Sequence, residues 1–107
     1  MSTEENKAVL RRLNEELDRG NLAILDQHPG LDEVHPMLMQ LLAARQSGLI
    51  QERTEEIIAE GDWVVVRVIR TGGPFGDGVE EIAMLKIVDG HILKQHSQGG
   101  PISTQPK

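Results

Sequence analysis

The sequence predicts a single α+β domain, with N-terminal helices packed on an antiparallel β-sheet. Apolar residues recur at three- and four-residue spacing as far as Gly48, the signature of helical faces. From Thr54 onward the chain changes to β-branched runs separated by two-residue turns. The length of 107 residues gives room for one core, burying about two-thirds of the unfolded surface.

Each element has local signals. Ser2 with Glu5 fits a capping box, and Val9, Leu10, Leu13 and Leu17 share one face until Gly20, which predicts a helix over 3–19. Asn21 can cap a short second helix carrying Leu22, Ile24 and Leu25, which Pro29-Gly30 should end. A third helix begins between Asp32, a possible cap, and Pro36, a possible first-turn residue. It carries Val34, Leu38, Leu41, Leu42 and Arg45 and stops at Gly48. Strands are expected over 54–60, 63–71, 79–88 and 91–98, with turns at Gly61-Asp62 and Asp89-Gly90. The glycine-rich stretch 72–78 reads as a hairpin loop, because a phosphate-binding loop would lead into a helix and a strand follows here. The domain is therefore placed at 1–98, with 99–107 as a flexible tail.

Composition excludes several functions. Seventeen acidic residues against eleven basic ones give a net charge of −6, and the basic residues are scattered, so no nucleic-acid footprint exists. No apolar run approaches the ~20 residues of a membrane span, and the N-terminus lacks a signal-peptide pattern, so a soluble cytoplasmic protein is expected. With no cysteine there is neither disulfide nor thiolate chemistry. Trp63 and Phe75 are the only aromatic residues, which argues against a large flat ligand.

In the segment 63–71, Val64, Val66 and Val68 fall on one face, and Trp63, Val65 and Ile69 on the other. Such a strand is covered on both sides. Three helices and four strands cannot cover both, so a homodimer through the second sheet face is expected.

Three stretches together resemble the SnoaL-like polyketide cyclases and ester cyclases of the nuclear transport factor 2-like superfamily. They are Asn21 to Asp26, the run Ile57-Ile58-Ala59-Glu60-Gly61-Asp62-Trp63-Val64-Val65-Val66-Arg67, and Ile87-Val88-Asp89-Gly90-His91-Ile92. The resemblance implies N-terminal helices packed on a curved antiparallel β-sheet, a cone-shaped α+β barrel whose mouth takes a small apolar substrate. This chain is a shortened version. Relatives have an extra strand and a pocket histidine where only His28-Pro29-Gly30 stands before the third helix. The family's catalytic histidine has no counterpart in Thr71-Gly72-Gly73-Pro74-Phe75, nor its aspartate in His96-Ser97-Gln98-Gly99-Gly100.

Acid–base chemistry near neutral pH directs attention to histidine. His96 stands where the family has a pocket tryptophan, and reads either as a residue orienting a substrate oxygen or as a partly buried structural histidine. His28 lies near the family's pocket histidine and is the second candidate. His91 reads as an exposed turn residue and His35 as a helix-start residue. Trp63, Arg67 and Met84 are the candidate binding residues. Arg67 is either a pocket cation, similar with Asp62 to part of the arginine–aspartate set of limonene-type epoxide hydrolases, or a surface partner of Glu81. Met37, Met39 and Met84 either line a pocket or fill the core. No metal-ligand spacing occurs, and no cofactor is expected. The functional expectation is a protein that binds a small molecule, a cyclase, isomerase or hydrolase whose catalytic pair is lost or replaced. The alternative is a non-catalytic dimeric scaffold with a closed pocket.

Overall fold

The computed structural model describes residues 2–102. Helix α1 (Thr3–Asp18) opens with the anticipated capping box: Glu5 N–H donates to Ser2 Oγ at 3.1 Å, and Ser2 N–H to Glu5 Oε1 at 2.8 Å. A 3-10 turn follows at Leu22–Gln27. Asn21 does not cap it but gives its side-chain amide to Glu16 Oε1 at 2.8 Å. This turn ends at Gln27, just before Pro29, as expected, but Pro29 does not stop helical structure altogether. It starts a second 3-10 turn, Pro29–Val34, because its fixed φ suits a first turn and its missing N–H is not needed there. Helix α2 (His35–Gln46) has Pro36 in its first turn, and Asp32 is not its cap.

Four strands follow in a simple meander: β1 (Gln51–Glu60), β2 (Trp63–Thr71), β3 (Val79–Val88) and β4 (His91–Pro101), each antiparallel to the next. This is the predicted α+β class. β1 begins three residues earlier than the turn signals suggested. β4 runs three residues beyond Gln98, because Gly99, Gly100 and Pro101 pair with Glu81, Glu80 and Val79. The remainder of the expected tail, 103–107, lies outside the described residues. Bulges interrupt β1 between Thr54 and Glu56, and the β3–β4 ladder at Lys86/Ile87. Such bulges add local twist and bend a strand.

The register sorts side chains onto two faces. On the face toward the helices, Ile57, Val66 and Ala83 form one cross-strand row, and Ala59, Val64 and Leu85 the next. These rows meet Leu10, Leu13 and Leu17 of α1 and Leu42 of α2 in one core. Full burial of each such side chain stabilises the fold by about 1.5–3 kcal/mol. Asn6, 1% exposed, ties α1 to the β1–β2 turn by donating from Nδ2 to the Gly61 carbonyl at 3.3 Å. On the opposite face, Ile58, Val65, Met84 and His96 make a row across all four strands.

The Pro29–Val34 turn presses directly on β4. A Cβ at Gly30 would stand 2.4 Å from the Leu93 carbonyl carbon and 2.5 Å from Lys94 N, so no larger residue fits without movement. Beside it, His28 is 2% exposed, and its Nδ1 accepts the Ile92 N–H at 3.0 Å. No helix among the described residues is long and apolar enough to cross a membrane.

Candidate functional site

Helices α1 and α2 span the sheet without filling the space beneath them, and a cavity of about 130 Å³ remains. Its walls are apolar: Leu10, Leu13 and Leu17 from α1, Leu38, Leu41 and Leu42 from α2, and Val66 and Val68 from β2. The polar end follows from strand alternation. Arg70 is two residues beyond Val68, so its side chain shares the helix-facing side, where Glu52 of β1 is its ladder partner. Glu81 of β3 faces Val68 in the adjacent row.

These side chains join in one ionic network. Arg70 donates from Nε to Glu52 Oε2 at 2.6 Å and from one terminal nitrogen to Glu81 Oε1 at 2.8 Å. Arg45 of α2 reaches the other Glu52 oxygen at 3.2 Å and also pairs with Asp18 of α1. Side-chain exposure is only 12% for Arg70, 18% for Glu52 and 20% for Glu81. Burial pulls the Arg70 guanidinium toward lower pKa, but the charges and hydrogen bonds of Glu52 and Glu81 outweigh it and hold Arg70 above its ordinary value. The second Glu81 oxygen, Thr54 Oγ1 and the Asn14 amide take no hydrogen bond among the described residues.

Two surface hollows share wall residues with the cavity. Asn14 and Thr54 line both the cavity and an open hollow between α1 and β1. Leu41 and Arg70 line both the cavity and an apolar groove formed by Met37, Leu49, Ile50, Pro74 and Phe75. Arg70 thus stands between the inner space and that groove.

The residues singled out from sequence lie elsewhere. Trp63, Arg67, Met84 and His96 occupy the sheet face turned away from the helices. Trp63 and His96 approach each other with ring centroids 6.2 Å apart. Met84 and His96, with Ile82, Gln95, Ser97 and Gln98, border an open depression that does not extend to Trp63 or Arg67. Arg67 does not pair with Glu81. Alternation sends Glu81 to the helix side, and Arg67 instead pairs with Glu80 and with Glu56, at 3.4 Å for the latter. The hydrogen bond to Glu80 raises the Arg67 pKa.

His28 is a strut between the Pro29–Val34 turn and β4. Because Nδ1 accepts a backbone N–H, the neutral ring carries its proton on Nε2. Burial, and secondarily the charge of His91, lower its pKa. His91 makes its own 2.7 Å hydrogen bond to the Gln27 carbonyl. Among the described residues, no three His, Asp or Glu side chains gather as a metal site.

Reasoning from sequence missed Arg70, Glu52 and Glu81. The parity that assigned Val64, Val66 and Val68 to one face also assigns Arg70 to it, and Arg67 to the other. That signal was available.

No family model matches the sequence, and no curated protein does. Solved structures do. AclR from Streptomyces galilaeus, provisionally described as a hydroxylase, aligns over 92% of this chain and 91% of its own with a TM-score of 0.66 and 18% identity. A nuclear transport factor 2-like protein from Burkholderia xenovorans aligns over 94% and 92%, with a TM-score of 0.63 and 16% identity. A protein of unknown function with a cystatin-like fold from Xanthomonas campestris aligns over 88% and 89%, with a TM-score of 0.62 and 20% identity. At these identities the likeness is one of architecture: the chain has the nuclear transport factor 2-like fold.

Proposed function

We propose that the protein binds a small, mostly apolar molecule in the cavity between the helices and the sheet, with its polar end against Arg70, Glu52 and Glu81. The observation that carries this reading is the combination of an apolar chamber with a convergent, largely buried charge network at one end, the usual form of a small-molecule site. At about 130 Å³ the chamber is close to an engineered ~150 Å³ cavity that accepts benzene, so the fitting ligand has about six or seven non-hydrogen atoms. Any residual cyclase, isomerase or hydrolase activity belongs to this chamber and its carboxylates rather than to His96. His28 is assigned a structural role.

A thermal-shift screen of small cyclic alcohols, ketones and epoxides tests the reading, since a ligand of the native state raises the melting temperature. Thr54→Trp, at the mouth, should abolish the shifts while leaving the fold intact. Shifts that persist in that variant would place the site elsewhere.

The outer sheet face supports a second, compatible reading: self-association. Ile58 is 60% exposed and Met84 41%, and they share the row with Val65 and His96. A second copy covering this row would bury the apolar residues of both, with Trp63 beside them. Light scattering across dilution should give a dimer, and Ile58→Lys a monomer. A wild-type protein that stays monomeric at high concentration refutes it.

A further inference from the structure

We infer that the head group this cavity selects is a neutral hydroxyl, in preference to a carboxylate or an amine; the inference rests on the cavity being the ligand site, as proposed above. It follows from counting which partners the charge network leaves free. Glu52 has committed one oxygen to Arg45 and the other to Arg70. Glu81 has given only Oε1 to Arg70, so its second oxygen, with both lone pairs unused, is the strongest acceptor left to a ligand. Arg70 has used Nε and one terminal nitrogen, and its other terminal N–H groups remain as donors.

A ligand head at this end therefore meets one acceptor and one donor set side by side. A hydroxyl satisfies both, donating to Glu81 and accepting from Arg70. A carboxylate can accept from Arg70 but sets a negative charge against Glu81, in a network where Asp18, Glu52 and Glu81 already outnumber Arg45 and Arg70. An ammonium can donate to Glu81 but stands against the Arg70 guanidinium. A carboxylate adds to the network's excess negative charge, an ammonium offsets that excess only by standing beside Arg70, and both must also be desolvated on entering a chamber otherwise walled by leucine and valine. The apolar walls contribute equally to all three, so the discrimination lies in the head alone.

The experiment is a matched titration of the whole chain with cyclohexanol, cyclohexylamine and cyclohexanecarboxylate at pH 7, followed by the leucine and valine methyl NMR signals, with benzene as a headless probe. Cyclohexanol should bind at least about tenfold tighter than either charged compound and tighter than benzene, the difference expected of one hydrogen-bonded head. In Glu81→Gln the amide still accepts from Arg70, but the excess negative charge is gone, so the carboxylate should gain at least about tenfold relative to its wild-type affinity. If benzene and all three heads leave the cavity methyls unmoved, the cavity is not a ligand site and the proposed function falls. If benzene binds and cyclohexanol binds no better, or if either charged compound equals it, the cavity stands and the hydroxyl preference is overturned. A Glu81→Gln variant with unchanged carboxylate affinity also overturns it.

Discussion

Arg70→Met is the most informative perturbation, because it isolates what the charge network contributes to stability. Methionine keeps much of the apolar length of arginine and removes the cation. Glu52 then retains Arg45 at 3.2 Å, whereas Glu81, 20% exposed, keeps no cation among the described residues. Removing one partner of a fully buried pair costs about 3–5 kcal/mol, and an exposed pair contributes about 0–1 kcal/mol. With carboxylates about one-fifth exposed, the loss here is about 2–3 kcal/mol. At about 4–8 °C per kcal/mol for a domain of this size, the melting temperature should fall by about 10–20 °C. Urea denaturation followed by Trp63 fluorescence, at one protein concentration, gives the free energy, with the m-value expected to be unchanged. Adding Glu81→Met removes the orphaned carboxylate, so the double variant should recover at least half of the loss. A single variant within about 0.5 kcal/mol of wild type would refute the reasoning, as would a double variant no more stable than the single.

Three further outcomes follow. His28 has a folded-state pKa below its unfolded value of about 6.5, so its stabilising contribution is complete above that pH and falls as pH drops, because the unfolded chain takes up the proton first. Denaturant titrations between pH 7.5 and 5.5 should show this decline, and His28→Gln should flatten it; an unchanged slope in the variant sinks the assignment. Gly30→Ala forces the 3-10 turn off β4 and should cost about 1–3 kcal/mol, with amide-exchange protection lost at Ile92 and Lys94. A neutral result would mean that the close approach to β4 is not maintained. Ser2→Ala removes the cap of α1 and should cost about 1 kcal/mol by thermal denaturation, whereas no change would assign that helix end to packing alone.

The elements were legible where local chemistry decides them. The β2 and β3 boundaries, the capping box and the sheet-face parity all follow from residue type and spacing, and the structure reproduces them. Where tertiary contacts decide, the sequence signal misleads. Asn21 has the chemistry of a cap, yet its side-chain oxygen makes no cap hydrogen bond and its Nδ2 donates back to Glu16 of α1. Gly99 and Gly100 look like a frayed tail because glycine disfavours strands, but β3 supplies a ladder for them, and at Gly99 the Glu80 carbonyl would stand 2.6 Å from any Cβ. The site was hidden for a related reason. Histidine, the residue type suited to acid–base chemistry near neutral pH, points through His96 to the outer face. The buried charges came from glutamates and arginines, residue types that are abundant on any surface and informative only once alternation is followed past Val68 to Arg70.

The resemblance implies an extra strand where this chain has only His28-Pro29-Gly30, and the structure shows what closes the chamber there. The Pro29–Val34 turn serves as the wall: Gly30 lets it lie against the β4 backbone, His28 fixes it to Ile92, and Leu31 then faces the cavity. A turn in van der Waals contact with the sheet leaves less space than a strand standing off from it. This accounts for a volume of about 130 Å³, below the ~300–1,000 Å³ of typical ligand pockets. On the proposed binding reading, the close approach of this turn narrows the size of molecule the chamber takes. On the same reading, each polar contact in a chamber that small is a larger share of a ligand's surface, so the free partners on Glu81 and Arg70 would weigh more in selection than the leucines around them.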